Sequence, residues 1–246
     1  MAEATTEVVV LGAGPAGLAA VLSLAAAGVE VVLVAPPEAA RPADQRTTAL
    51  LGASVNLLEN IGVWQELQPL SAPLAGIRII DDRGGLLRAP EVLFHARELG
   101  LASFGANVAN APLVAALAAR ANAAASVRRL STTAVQLVCE PDAVNLQLSD
   151  GTHLRARLVV AADGRNSLAR KAAGITTRDW AYPQAALATS FRHARAHQGV
   201  SSELHRVQGP LTTVPLCEGA SSLVWVTSPG EAEDLKRLDD MSFSLR

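Results

Sequence analysis

"EVVVLGAGPAGLAAVLSLAAAGVEVVLVAPPE", Glu7 to Glu38, carries no charged side chain between Val8 and Val29. Three readings compete for so apolar a run: a membrane segment, a buried core, or the strand, turn and helix that cradle a dinucleotide. Its length alone permits a bilayer span. Its contents oppose one, because Gly12, Gly14, Pro15 and Gly17 interrupt the run, and Glu3 and Glu7 stand where a signal peptide carries positive charge. Val8 to Leu11 is continuously apolar, as a strand buried on both faces requires. Pro15 suits a first helical turn, Leu18, Val21, Leu22 and Ala25 share one helical face, and Gly28 supplies a left-handed stop. Val29 to Val34 resumes as a second strand, so the spacing predicts a βαβ unit.

Gly12, Gly14 and Gly17 make G-x-G-x-x-G between that strand and that helix. In such a unit the first glycine allows the tight turn, the second lets backbone approach a pyrophosphate, and the third lets helix and strand pack closely. The helix N-terminus then faces the anion. A carboxylate on the ribose is expected about 20 residues on, at the end of the second strand. Ala35 occupies that place. Glu38 lies three residues further, past Pro36 and Pro37, and either reaches back from the loop or is a solvated charge.

The loop from Ala35 to Arg46 also contains Pro42 and is irregular. Thr47 or Thr48 is placed to cap a helix running to about Asn60. Ile77 to Ile80, the turn "DDRGG" and Leu86 to Leu87 read as a hairpin. Asn110 starts a helix with Pro112 in its first turn. Strands are predicted over 127 to 130, 132 to 139, 144 to 149 and 152 to 162, with "SDGT" as a hairpin turn, and a short helix reaches Ala173. Gln184 to Arg192, Ser202 to Val207, Leu211 to Leu216 and Ser221 to Thr227 form a β layer, followed by the helical start "GEAEDLKRL". The fold class is α/β: a Rossmann-like domain over 1–76 and 101–178, interleaved with an antiparallel β-sheet domain over 77–100 and 179–246.

With 21 basic and 23 acidic residues in 246, unclustered, the chain lacks the footprint of a polyanion binder, and nucleic acid is not an expected partner. Cys139 and Cys217 form no CxxC pair and suit a reducing compartment, so the cytoplasm is expected. There is no G-x-S-x-G elbow, P-loop or HExxH. His193 and His197 are four apart and can share a helix face, but no third ligand is spaced with them and no metal is expected. Arg46, just before a helix, either pairs with phosphate oxygens or is a surface charge. Asp163 and Gly164 end a buried strand, where open α/β sheets place ligands, although Asp-Gly is also a common turn.

Together "VVVLGAGPAGLAA", "DQRTTALLGASVNLLENIGVW", "LVVAADGRNSLAR", "YPQAALATSF" and "GPLTTVPLCEGASSLVWV" resemble the FAD-dependent aromatic hydroxylases of the para-hydroxybenzoate hydroxylase type, in the ubiquinone-biosynthesis branch that hydroxylates polyprenylated phenols. The resemblance implies that Gly12, Gly14 and Gly17 hold the FAD pyrophosphate and that Arg46 contacts the cofactor. It implies that Asp163 and Gly164 match a DG motif touching the pyrophosphate and reduced nicotinamide, and that Asn110 lies on the cofactor side. The sheet from Gln184 to Thr227 would form the floor and wall of the substrate cavity. Reduced flavin and dioxygen would deliver hydroxyl to an electron-rich ring, with NAD(P)H or another reductant as electron source and no side chain acting as nucleophile, so no catalytic residue is named.

Two departures accompany the likeness. Ala35 stands where the family has a glutamate on the ribose, a lost partner that weakens FAD binding by about 1.5 to 3 kcal/mol if nothing compensates. Family chains also continue into a second FAD motif, G-D-A-x-H-x-x-x-P, that this sequence lacks. The expectation is that the chain alone binds FAD weakly or not at all unless a partner chain supplies the rest. Two other classes stay open: a flavin oxidoreductase that never hydroxylates, and an inactive shortened paralogue in a biosynthetic complex. An apolar phenolic substrate further suggests peripheral contact with the inner membrane.

Overall fold

The computed structural model describes residues 4–37 and 44–246. In chain order they form β1 (Ala4–Leu11), α1 (Pro15–Ala26), β2 (Val31–Ala35), β3 (Thr47–Leu51), α2 (Gly52–Asn60), α3 (Trp64–Leu67), β4 (Ser71–Pro73), β5 (Gly76–Asp81), β6 (Val92–His95), β7 (Gly105–Ala109) and α4 (Asn110–Ala123). There follow β8 (Val127–Ser131), β9 (Ala134–Cys139), β10 (Val144–Leu148), β11 (His153–Ala161), α5 (Leu168–Ala172), β12 (Ala185–Arg192), β13 (Val200–His205), β14 (Leu211–Leu216), β15 (Ala220–Thr227), α6 (Pro229–Lys236) and α7 (Asp240–Leu245). Contacts divide the chain into two compact units, one of Met1–Asp44, Leu57–Leu67 and Ala111–Asp179, the other of Gln45–Asn56, Gln68–Asn110 and Trp180–Arg246.

The first unit is built on a six-stranded sheet in the order β8-β2-β1-β11-β10-β9. β1 has parallel neighbours on both edges, β2 and β11, and Val8 to Leu11 are all buried. That explains why the run has no polar alternation: a strand with helices or loops over both faces has no solvent side. α1 packs on β1, β2 and β11 through Leu18, Val21 and Leu22. β9 and β10 extend the sheet as an antiparallel meander, and their Leu137, Leu146 and Leu148 join Val9, Leu11, Val32 and Val34 in one core cluster.

The second unit contains a six-stranded sheet ordered β12-β15-β14-β13-β5-β6, antiparallel except where β13 runs parallel to β5. A small antiparallel sheet, β3-β7-β4, belongs to the same unit. The buried Asn107 of β7 donates to the Pro215 carbonyl at 2.9 Å, and Thr47 donates to the Ser222 hydroxyl at 3.1 Å. α6 and α7 cover one face of the larger sheet, where Leu223, Trp225, Leu235 and Phe243 pack together.

Three local expectations are corrected. Thr47 and Thr48 do not cap a helix; they begin β3, because Thr47 to Leu51 pairs residue for residue with Ala109 to Gly105, and the helix starts only at Gly52. β-branched threonines suit that paired strand, and their partner lies more than 50 positions away, invisible to local pattern. The second hairpin strand is Val92–His95, registered against Ile79 to Gly76, whereas Leu86 and Leu87 sit in the connecting loop. His193 and His197 share no helix. They follow β12 with rings 5.7 Å apart. Glu38 and Pro42 lie outside the described residues.

His197 acts as a clasp in that turn. Its Nδ1 accepts from the Gly199 N–H at 3.0 Å and its Nε2 donates to the Leu216 carbonyl at 2.9 Å, so both partners dictate one neutral tautomer. Next to it Gln198 and Gly199 have φ values of 53° and 71°, and the Gly199 carbonyl accepts from Ala75 N–H at 2.7 Å. Removing the ring unpairs two backbone groups at once. His197→Ala is expected to lower stability by about 1 to 3 kcal/mol, read as a shift in the urea midpoint.

Candidate functional site

The carboxyl ends of β1 and β11 lie side by side in the first unit, with Ala162 N–H donating to the Leu11 carbonyl at 2.9 Å and Gly12 N–H to Val34 at 2.9 Å. β1 connects through α1 to β2 on one side, while β11 enters on the other, which is the switch-point arrangement where open sheets leave a crevice. Gly12 has φ 96°, and a Cβ there would stand 2.2 Å from the Ala162 carbonyl oxygen. A Cβ on Gly17 would stand 1.9 Å from the Gly12 oxygen. Both glycines are therefore required by packing alone. Gly14 differs: a Cβ there meets nothing within 4 Å, so its bareness leaves space above the turn.

Gly14 is also the residue before α1, and it offers no side chain to the helix. The first turn of α1 contains no acidic residue, and the first intrahelical bond is Leu18 N–H to Gly14 at 3.0 Å. The N–H groups of Ala16 and Gly17 precede it, so a twelve-residue helix points uncapped N–H donors over an open glycine. These features fit a phosphate oxyanion.

Asp163 and Gly164 follow β11 beside this turn. The Asp163 carboxylate accepts from Ser167 Oγ at 2.6 Å and from the backbone N–H groups of Leu168 and Ala169 at 2.7 and 3.2 Å. Burial pushes its carboxyl up, but the hydrogen bonds from Ser167, Ala169 and Leu168 outweigh burial and hold it below the ordinary value of 3.8. Asp163 thus anchors the start of α5 and fixes the turn that flanks the glycine cradle.

A cavity of about 330 Å³ adjoins these residues, with Gly12, Ala35, Thr132, Thr133, Asp163 and Asn166 in its lining. Ala35 is buried there and presents only a methyl group to the cavity. Thr132 and Thr133 were missed from the sequence. They leave the sheet between β8 and β9, and their hydroxyls lie 2.9 and 3.2 Å from Ser149 Oγ. The only signal for them was a pair of hydroxyl residues at a predicted strand start, and the β2–β8 pairing that brings them beside Ala35 is nonlocal.

Arg46 and Asn110 meet in the second unit. Asn110 N–H donates to the Arg46 carbonyl at 2.9 Å, and the Thr48 hydroxyl bonds the Asn110 side-chain oxygen. The antiparallel β3–β7 pairing causes this meeting of residues 64 positions apart. The same unit holds a cavity of about 600 Å³ on the larger sheet, walled by Phe191, Leu211, Trp225 and Phe243 with Arg246 in its lining. Among the described residues no three His, Cys, Asp or Glu side chains gather into a metal site.

The model of an FAD binding domain matches residues 5–240. This chain belongs to the FAD-binding domain family. Within it, the chain is 35% identical over 229 residues to ubiquinone hydroxylase UbiL of Rhodospirillum rubrum, covering 91% of this chain and 52% of that protein. It is 31% identical over 246 residues to the 3-demethoxyubiquinol 3-hydroxylase of Escherichia coli, covering 97% of this chain and 62% of that enzyme. The chain spans about half to two thirds of the length of these relatives. Among solved structures, PqsL of Pseudomonas aeruginosa, described as a probable FAD-dependent monooxygenase, has the same fold at a TM-score of 0.77 and 23% identity, over 94% of this chain and 63% of its own.

Proposed function

We propose that this chain is the FAD-binding part of a monooxygenase that hydroxylates the ring of a polyprenylated phenol in ubiquinone biosynthesis. The names of its relatives support the substrate class, and the observation that carries the cofactor reading is the uncapped start of α1 over the open Gly14. When bound, reduced flavin supplies the activation of dioxygen, with NAD(P)H or another reductant as electron source. In this reading the N–H groups of Ala16 and Gly17 bind the pyrophosphate, and Asp163 holds the neighbouring turn in place while Gly164 leaves its surface bare. Arg46 and Asn110 belong to the second unit, whose larger sheet carries the substrate in this reading. Peripheral membrane contact and membership of a biosynthetic complex belong to the same proposal.

The weak point of the cradle is Ala35. A carboxylate there restores the ribose acceptor, so Ala35→Glu is expected to tighten FAD binding roughly tenfold in a flavin-fluorescence titration, about 1.4 kcal/mol. Unchanged affinity means that Thr132, Thr133 or Asn166 already serves the ribose, and that the methyl of Ala35 costs nothing. Hydroxylation itself is tested by dioxygen uptake with a prenylated phenol and reduced nicotinamide. Product carrying one added oxygen supports the reading; flavin reoxidation without product makes the chain an oxidase or reductase.

A further inference from the structure

The loop between β5 and β6 presents two leucines that no described residue covers. Leu86 and Leu87 are 106% and 95% exposed, and Val92 and Phe94 of the following strand are also exposed. Adjacent bare leucines at a tip are unfavourable in water unless another phase receives them.

One side chain ties the base of the loop together. The Asp81 carboxylate accepts from the Arg83 guanidinium at 2.8 Å through both oxygens, from the Arg83 N–H at 3.3 Å and from the Ala89 N–H at 3.1 Å. Residues on either side of the leucines are thus bonded to the same carboxylate, and the tip is held outward. The bonds from Arg83 and Ala89 keep the Asp81 carboxyl far below the ordinary carboxylate range.

Between Arg78 and Glu91 every charged side chain but one has an ion-pair partner. Asp81 pairs with Arg83, Asp82 with Arg206 at 2.9 Å, and Glu91 with Arg78 at 3.1 Å. Arg88, next to Leu87, donates its Nε to the Gly85 carbonyl at 3.4 Å and has no carboxylate partner among the described residues. An apolar tip with one surplus cation beside it suits the interface of an anionic bilayer, where the leucines enter the acyl boundary and the guanidinium stays among phosphates. A fluid surface closes around a convex tip; a protein partner needs a preformed pocket for it.

We propose that Leu86, Leu87 and Arg88 form a lipid-docking tip that brings this protein to an anionic membrane surface. The proposal rests on the lipid-soluble substrate only for its purpose, because vesicle binding is measured without flavin or phenol and fails or succeeds separately from hydroxylation.

The test is co-sedimentation of the 246-residue chain with vesicles of phosphatidylcholine containing about one quarter phosphatidylglycerol, and with phosphatidylcholine alone. The wild-type chain should partition onto the mixed vesicles, and several-fold less onto the neutral ones. The Leu86→Ser, Leu87→Ser double variant should lose at least about tenfold in partition at an unchanged urea midpoint, since neither leucine is packed in the fold. Arg88→Ser should lose roughly fivefold on the anionic vesicles and little on the neutral ones. Equal sedimentation of the double variant and wild type would overturn the proposal, as would a wild type that stays in solution with both vesicles. Light scattering that shows a wild-type dimer dissociated by the double substitution also overturns it, and assigns the leucines to an interface between copies.

Discussion

Gly17→Ala is expected to cost about 3 kcal/mol of folding stability, a large part of the roughly 5 to 15 kcal/mol that holds a domain together. The added methyl would sit 1.9 Å from the Gly12 carbonyl oxygen and 3.2 Å from the Ala162 Cβ. Neither neighbour can step aside as a flexible side chain would, because one is backbone in a turn and the other ends a paired strand. α1 must tilt away from β1 and β11, loosening Leu18, Val21 and Leu22 from the core. Gly14→Ala provides the contrast. Its Cβ enters open space at φ −69°, so stability should change by less than about 1 kcal/mol, while under the proposed function FAD affinity falls at least tenfold, because the methyl then enters the place proposed for the pyrophosphate. Denaturation and flavin titration of the two variants separate packing from binding. A stable Gly17→Ala protein refutes the first, and undiminished FAD binding by Gly14→Ala refutes the second.

Asp163→Ala is expected to cost about 2 to 3 kcal/mol, because Ser167 Oγ and the Leu168 and Ala169 N–H groups lose a charged acceptor together. Asp163→Asn should recover part of this loss, since an amide oxygen still accepts. The pH dependence has a definite sign. The folded carboxyl is held below its ordinary 3.8, so its contribution is complete above the unfolded carboxylate range and disappears as pH falls through the lower folded value. Stability measured from neutral pH into acid should therefore fall less steeply in the Asn variant than in the wild type. An equally steep fall in both would show that the carboxylate contributes no acid dependence.

Much of the first sheet was legible because local composition and burial agree there. Val8 to Leu11 and Val31 to Val34 are apolar without alternation, and a strand with that character has few options besides the middle of a parallel sheet. The β layer from Ala185 to Thr227 was readable as well, with β13 running from Val200 to His205 where Ser202 to Val207 was expected. Where Thr47 was misjudged, the deciding partner was distant in sequence, since β7 turns "TTALL" into a strand; where Leu86 was misjudged, the competitor was close by, since Val92–His95 takes the edge of β5 that Leu86 and Leu87 were expected to occupy.

The glycine spacing, the missing carboxylate at Ala35 and the candidate residues Arg46, Asn110, Asp163 and Gly164 follow from residue order alone, because each depends on a short stretch meeting a local rule. Tertiary structure decided what those residues touch. It made Gly12 obligatory by bringing the Ala162 carbonyl oxygen to 2.2 Å from where a Cβ would be, closed Gly17 against the Gly12 oxygen at 1.9 Å, and left Gly14 open. It joined Arg46 to Asn110 through β3 and β7, set Thr132 and Thr133 beside Ala35 through β2 and β8, and turned Asp163 toward the first turn of α5. The physical reason is that steric fit and hydrogen-bond partnership are pairwise: for Gly12, Arg46 and Ala35 the second member comes from strand pairing, and for Gly17 and Asp163 from how a short stretch turns back on itself, neither of which residue order alone expresses.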